Sequence, residues 1–117
     1  MNEQDYNRLI DMRQAALRAI KFADGKSRDD LHKENELLGF AIVRAIEVVG
    51  EAASKIDLDV RKEHARIEWR NMIGMRNRIV HDYGNVDYDI VWQVVTVNLP
   101  KLVEQLDELL QEDNDEQ

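Results

Sequence analysis

The chain has 117 residues, no cysteine, one proline, five glycines and a formal net charge of −8. That length suits one domain with a real core, and the lack of cysteine excludes disulfides and thiolate metal sites. The acidic balance argues against general affinity for nucleic acid, DNA included.

In chain order, residues 2–22 read as a first helix with Leu9, Met12, Ala16 and Ile20 on one side and Ile10 and Leu17 flanking. Residues 23–27 break it, and Ser27 to Asp30 fit a short capped turn. A second helix is expected over 34–56. Its wide stripe of Leu38, Ala41, Ile42, Ala45, Val48, Val49, Ala52 and Ile56 makes it the most buried element. Asp57 to Ile67 reads as an irregular link with a helical turn at 60–63. The third helix is expected over 68–82 on the stripe Trp69, Met72, Ile73, Ile79 and Val80, ended by Gly84-Asn85 in left-handed backbone angles. Gly50 and Gly74 sit inside helices, at a cost of about 1 kcal/mol each, so each is expected to permit a close helix crossing.

Asp87 is placed to cap a fourth helix. Trp92, Val95, Leu99, Leu102, Leu106 and Leu109 follow at spacings of 3, 4, 3, 4 and 3, a seam for packing on another helix. Pro100 must kink or divide that helix, since it lacks an N–H and clashes with the preceding turn. No strand-like alternation is present. The expected fold is all-α, an up-and-down four-helix bundle over residues 1–110, followed by an acidic tail, 111–117, without apolar anchors. No apolar run of about 18 residues could span a bilayer, and no signal peptide precedes the first helix. A cytoplasmic protein without membrane contact is therefore expected. The histidines, His32, His64 and His81, have no paired ligand spacing, so neither metal nor cofactor is expected.

Charge is unevenly spread. Residues 61–81 hold six basic side chains (Arg61, Lys62, Arg66, Arg70, Arg76, Arg78) and two acids, whereas seven acids and no Lys or Arg follow Lys101. A locally positive site on an acidic body allows RNA to engage at one cleft rather than along the surface. Within this stretch, Arg76, Asn77, His81 and Tyr83 crowd into eight residues. Arginine grips a phosphate with two parallel donors, and histidine moves protons near neutral pH without a metal. Together they can cleave RNA by activating a ribose 2′-hydroxyl, the guanidinium offsetting charge on the phosphorane. A lone Arg and His at this spacing equally describe a solvated helix residue and a helix cap. Glu51 reads either as an acid that orients Arg76 or Arg78, or as a solvated edge residue.

The string Arg76-Asn77-x-x-x-His81-x-Tyr83 resembles the Arg-x4-6-His motif of the HEPN domain. The trailing x-Tyr narrows the likeness to HepT-like ribonuclease toxins, whose partner is an MntA-type nucleotidyltransferase antitoxin. Ile46-Glu-Val-Val-Gly-Glu-Ala52 is similar to that family's "IGEA" helix. Trp69, Gly74-Met75, Val86-Asp87, Val91-Trp92 and Leu99-Pro100 also fall where the family has them, so the likeness runs from about Phe22 to Leu102. It implies a HEPN-like bundle and a metal-independent endoribonuclease. Arg76, His81 and Asn77 would be catalytic, Arg70 and Arg78 would contact RNA, and Tyr83 would accept AMP from the antitoxin. A silent helical partner of a nucleotidyltransferase is the other reading.

Helix geometry bears on the motif. At about 100° per residue, Asn77 and His81 would stack on one face of a continuous helix, while Arg76 and His81 would diverge by about 140°. Either the helix loosens after Val80, or Arg76 reaches round, or a second copy completes the site in a two-fold homodimer with the third helix near the axis.

Overall fold

The computed structural model describes residues 1–31, 36–80 and 85–115, with side chains up to residue 112. Its helices are α1 (Glu3–Ala23), α2 (Glu36–Ser54), α3 (Leu58–Glu63), α4 (Trp69–Ile79), α5 (Tyr88–Gln93) and α6 (Leu99–Asp115). Asn2 caps α1 by accepting from the Asp5 N–H at 2.7 Å. After Gly25, in the left-handed region at φ 72°, the turn Arg28–Leu31 is closed by Asp30 accepting from the Ser27 N–H at 2.8 Å. The side chain of Asp87 accepts from the N–H groups of Asp89 and Ile90, so the fourth helix starts at its expected cap.

The long helices form an up-and-down bundle. α1 lies between α2 and α6, and α4 packs on the other side of α2. α1 approaches α2 with Ala15, Ala16, Ala19 and Ala23 buried, while Ile20 is half-buried and Leu17 exposed. Leu9, Met12 and Ala16 of the expected stripe are fully buried, and only Ile20 is less so than expected. The far end of α2 meets the near end of α1, where the Asp57 N–H donates to Asp5 Oδ1 at 3.1 Å. Asp5 is buried there, and its charge in particular pushes the Asp57 carboxyl above the usual carboxylate range.

α2 stops at Ser54, two residues short of expectation. Arg61 explains the stop: its guanidinium donates to the carbonyls of Ser54 and Ile56 at 3.0 and 2.9 Å, satisfying acceptors that a continuing helix would have used. Ile56 is still buried beyond the helix end. α3 then carries the turn expected at 60–63, begun two residues earlier.

The fourth helix runs through Pro100. Directly before the proline the chain widens into a π turn, Val94–Asn98, in which the Leu99 N–H bonds to Val94 O. That wider turn accommodates the proline without dividing the helix, and only a minor kink results. Val95, Leu99, Leu102, Leu106 and Leu109 are buried along the expected seam, and α6 continues to Asp115.

The two glycines differ. A Cβ on Gly50 would lie 2.8 Å from Met72 O, so α2 and α4 cross backbone to backbone at that point. At Gly74 a Cβ would meet nothing within 4 Å among the described residues, so they show no close crossing there. Gly74 lies on the outward side of α4, opposite buried Met72, Met75 and Ile79. Because the atom facing Gly50 is main chain and cannot swing aside, Gly50→Ala is expected to lose about 1–3 kcal/mol in urea unfolding. A change within about 0.5 kcal/mol, as at an ordinary surface position, would show that the crossing relaxes freely.

Candidate active site

α4 carries the charged face of the molecule. Its inner side, Trp69, Met72, Met75 and Ile79, is buried, and the Trp69 indole N–H donates to His64 O at 3.0 Å, which pins the start of the helix. Arg70, Arg76, Asn77 and Arg78 are all exposed on the remaining faces. Arg76 and Arg78 occupy the last turn, where cations offset the negative end of the helix dipole.

Arg76 faces the edge of α2. Its Nε lies 3.7 Å from Glu47 Oε1; the Arg76 side chain is 62% exposed and that of Glu47 only 23%. A carboxylate on the Nε side leaves the paired Nη edge of the guanidinium for a second anion. Beside this pair is a hollow of about 190 Å³ walled by Ile46, Gly50, Met72 and Ile73. Glu51 does not take the orienting role offered for it. It accepts from Arg44 Nη1 at 3.0 Å, and Arg44 also reaches Glu47 at 3.5 Å. The Arg44 guanidinium is thereby held more basic than usual, first by its hydrogen bond to Glu51. Glu47 was not singled out in the sequence. The available signal was its place three residues before Gly50, on the side of α2 that the glycine turns toward α4.

The remaining cations of this stretch separate into two groups. Arg66 pairs with Glu108 at 3.6 Å, and Arg61 is spent on main-chain carbonyls. Lys62, Arg70 and Arg78 have no carboxylate within pairing distance among the described residues. The structure therefore places Arg70, Arg76, Asn77 and Arg78 along one helix. His81, Tyr83 and Gly84 lie outside the described residues.

α4 ends three residues earlier than expected. Val80 is extended (φ −107°, ψ 114°), bridges Val86 in antiparallel fashion, and the Asp87 N–H bonds to Ile79 O at 2.8 Å. The helical projection from Arg76 thus stops at Ile79. It supports neither the 140° divergence from His81 nor the stacking of Asn77 on His81, since both required a helix running to residue 81. Among the described residues no three His, Asp or Glu side chains group as metal ligands would, and no helix is long and apolar enough to cross a membrane.

The profile of the family described as Ribonuclease HepT-like matches residues 12–109. The chain belongs to the HepT-like ribonuclease family. A protein of Caldanaerobacter subterraneus subsp. tengcongensis, provisionally named an RNase, is 33% identical over 94 residues, covering 80% of this chain and 83% of its own length. A provisionally named RNase of Methanocaldococcus jannaschii is 33% identical over 73 residues, 62% of this chain and 67% of that one. A Thermococcus cleftensis protein, provisionally named ribonuclease HepT, is 40% identical over 63 residues, 54% of this chain and 57% of that one. No significant match to a solved structure is found.

Proposed function

We propose that this protein is a metal-independent endoribonuclease and the toxin of a toxin–antitoxin pair. The observation that carries the reading is Arg76, the first residue of the motif in a HepT-like ribonuclease chain. It stands exposed with its Nε side at Glu47 and its Nη edge open. In the proposed reaction the ribose 2′-oxygen attacks phosphorus and the 5′-oxygen leaves with a proton, giving a 2′,3′-cyclic phosphate and a 5′-hydroxyl end. Arg76 stabilises the phosphorane charge, His81 moves the protons and Asn77 positions His81 or the scissile group. Arg70 and Arg78 hold neighbouring phosphates.

The working unit is a homodimer with α4 near its axis. Arg70, Gly74 and Asn77 fall at i, i+4 and i+7 on the outward side of α4, and Gly74 leaves that face open to close approach. Two copies would bring two His81 side chains to one site, one as base and one as acid.

The antitoxin is a nucleotidyltransferase that silences the enzyme at Tyr83. The phenol oxygen attacks the α-phosphorus of ATP, pyrophosphate leaves, and AMP remains on the ring. The added phosphate competes for Arg76 and the purine blocks RNA entry.

Purified protein is expected to cut total RNA in the presence of EDTA, and Arg76→Ala and His81→Ala are expected to lose that activity by 100-fold or more, on the order of a general acid–base contribution, with helix content unchanged. Strict dependence on magnesium, or a fully active His81→Ala chain, would sink the chemistry. Intact-mass spectrometry after incubation with the partner enzyme and ATP tests the switch. AMP should add to the wild type, whose cutting then stops, and Tyr83→Phe should remain an unmodified, active nuclease. Equal mass gain on Tyr83→Phe would place the acceptor elsewhere.

A further inference from the structure

The second cleft of the molecule lies between α3 and the start of α4. It holds about 480 Å³, and three cations, Arg61, Lys62 and Arg70, line it against one acid, Glu68. These groups differ in availability. Arg61 is fixed on the carbonyls of Ser54 and Ile56, which makes the back wall of the cleft rigid. Glu68 accepts from Asn71 Nδ2 at 3.2 Å. Lys62 and Arg70 carry no carboxylate partner among the described residues, unlike Arg8, Arg13, Arg28, Arg44 and Arg66; Arg18, Lys21, Lys26, Lys55 and Lys101 have none either, but none of those lines this cleft. The floor is apolar: Leu58, 62% exposed, and Ile73 both line it.

Ile73 also lines the hollow beside Arg76, so the two depressions share a wall. Arg70 and Arg76 are six residues apart on one helix, about 9 Å along its axis and about 120° around it, so a strand that reaches both must wrap over Ile73, which lies between the two depressions. Two cations over an exposed aliphatic floor suit a phosphate with its base beside it, the base held by apolar contact rather than by the aromatic stacking common at single-strand sites. Ala65, Ile67 and Trp69 join Leu58 and Ile73 in the apolar part of the lining, and its edge of three cations and one acid is net positive, which suits a polyanionic strand better than an uncharged helix face.

We propose that this cleft holds the nucleotide of a single-stranded RNA adjacent to the scissile phosphate. Lys62 and Arg70 bind its phosphate, and Leu58 with Ile73 seats its base. The proposal rests on the ribonuclease reading of the Arg76 site and extends it by giving the strand a path. It also fits a protein of net charge −8: the strand lies in a cleft where three cations face one acid.

The test separates binding from chemistry. The probe is a single-stranded RNA of about 12 nucleotides, within the range of single-strand sites, bearing 2′-O-methyl riboses so that it cannot be cut. Its affinity is measured against salt concentration for wild type, Lys62→Ala/Arg70→Ala, Leu58→Ala, and a charge-matched control, Lys21→Ala/Lys26→Ala. The control changes the opposite end of the bundle. The cleft variant should bind on the order of tenfold more weakly, with a log–log salt slope about 1 to 1.5 shallower. Leu58→Ala should weaken binding severalfold at every salt concentration without changing the slope. Lys21→Ala/Lys26→Ala should behave as wild type. Equal slopes for the two double variants would overturn the proposal. So would a cleft variant that binds RNA normally and fails only with the protein partner. If wild type binds the probe through the cleft yet cuts no RNA, the nuclease reading fails and the RNA site stands. If wild type cuts and the cleft variant binds and cuts equally well, the RNA site fails and the nuclease reading stands.

Discussion

The contact of α2 with α4 at Gly50 governs the charged side of this protein. Without a Cβ at that position the main chain of Met72 comes within van der Waals reach, and α4 is drawn flat against α2. Three things follow from that approach. Met72, Met75 and Ile79 are buried, so the cationic residues of α4 must face outward. Glu47, three residues before Gly50, is carried to the flank of Arg76. The hollow beside Arg76 is closed on two sides by Gly50 and Ile73. A larger residue at position 50 would separate the helices and loosen all three together.

Electrostatics then sorts the surface. Where helices meet side to side, cations are paired with acids, as Arg13 is with Asp107 and Arg66 with Glu108. Such exposed pairs add little stability individually, typically about 0–1 kcal/mol. Among the described residues they leave Lys62, Arg70 and Arg78 of α3 and α4 without a carboxylate partner, as they do Arg18, Lys21, Lys26, Lys55 and Lys101 elsewhere on the bundle. Local field, rather than net charge, is what an incoming phosphodiester meets at short range, because at physiological salt distant charges are screened over about 8 Å.

The bundle was legible in the sequence because apolar residues recur at helical spacing and because Asp87 and Ser27 to Asp30 carry recognisable caps. The boundaries were less so. α2 ends where Arg61, seven residues beyond Ser54, captures carbonyls at its end, and no local pattern reports a contact made after a turn. α4 ends at Ile79 because Val80 pairs with Val86 across a segment that reads as a helix terminus, a tertiary choice that overrides propensity. The glycines teach the same lesson. Gly50 and Gly74 look alike in sequence, yet among the described residues Gly50 alone of the two faces another helix, and the difference depends on how α4 is rotated. For the site, the motif named Arg76 from its neighbours in the chain, but the acid beside it came from another helix. Glu51, read from the sequence as either an orienting acid or a solvated edge residue, is exposed and paired with Arg44. Glu47 is the one on the correct side of α2, which the position of Gly50 encodes.

The central claim is that a guanidinium and an imidazole cleave RNA by driving its own 2′-hydroxyl onto phosphorus. The most direct measurement is the chemistry of the product ends from a synthetic RNA cut by the purified protein, read by mass spectrometry, alongside the same strand with a single 2′-deoxyribose at the cut site. The account predicts a 2′,3′-cyclic phosphate, or the monoester it opens to, facing a 5′-hydroxyl, and no cut at the deoxy position. A 5′-phosphate facing a free 3′-hydroxyl, or undiminished cutting of the deoxy strand, would contradict it.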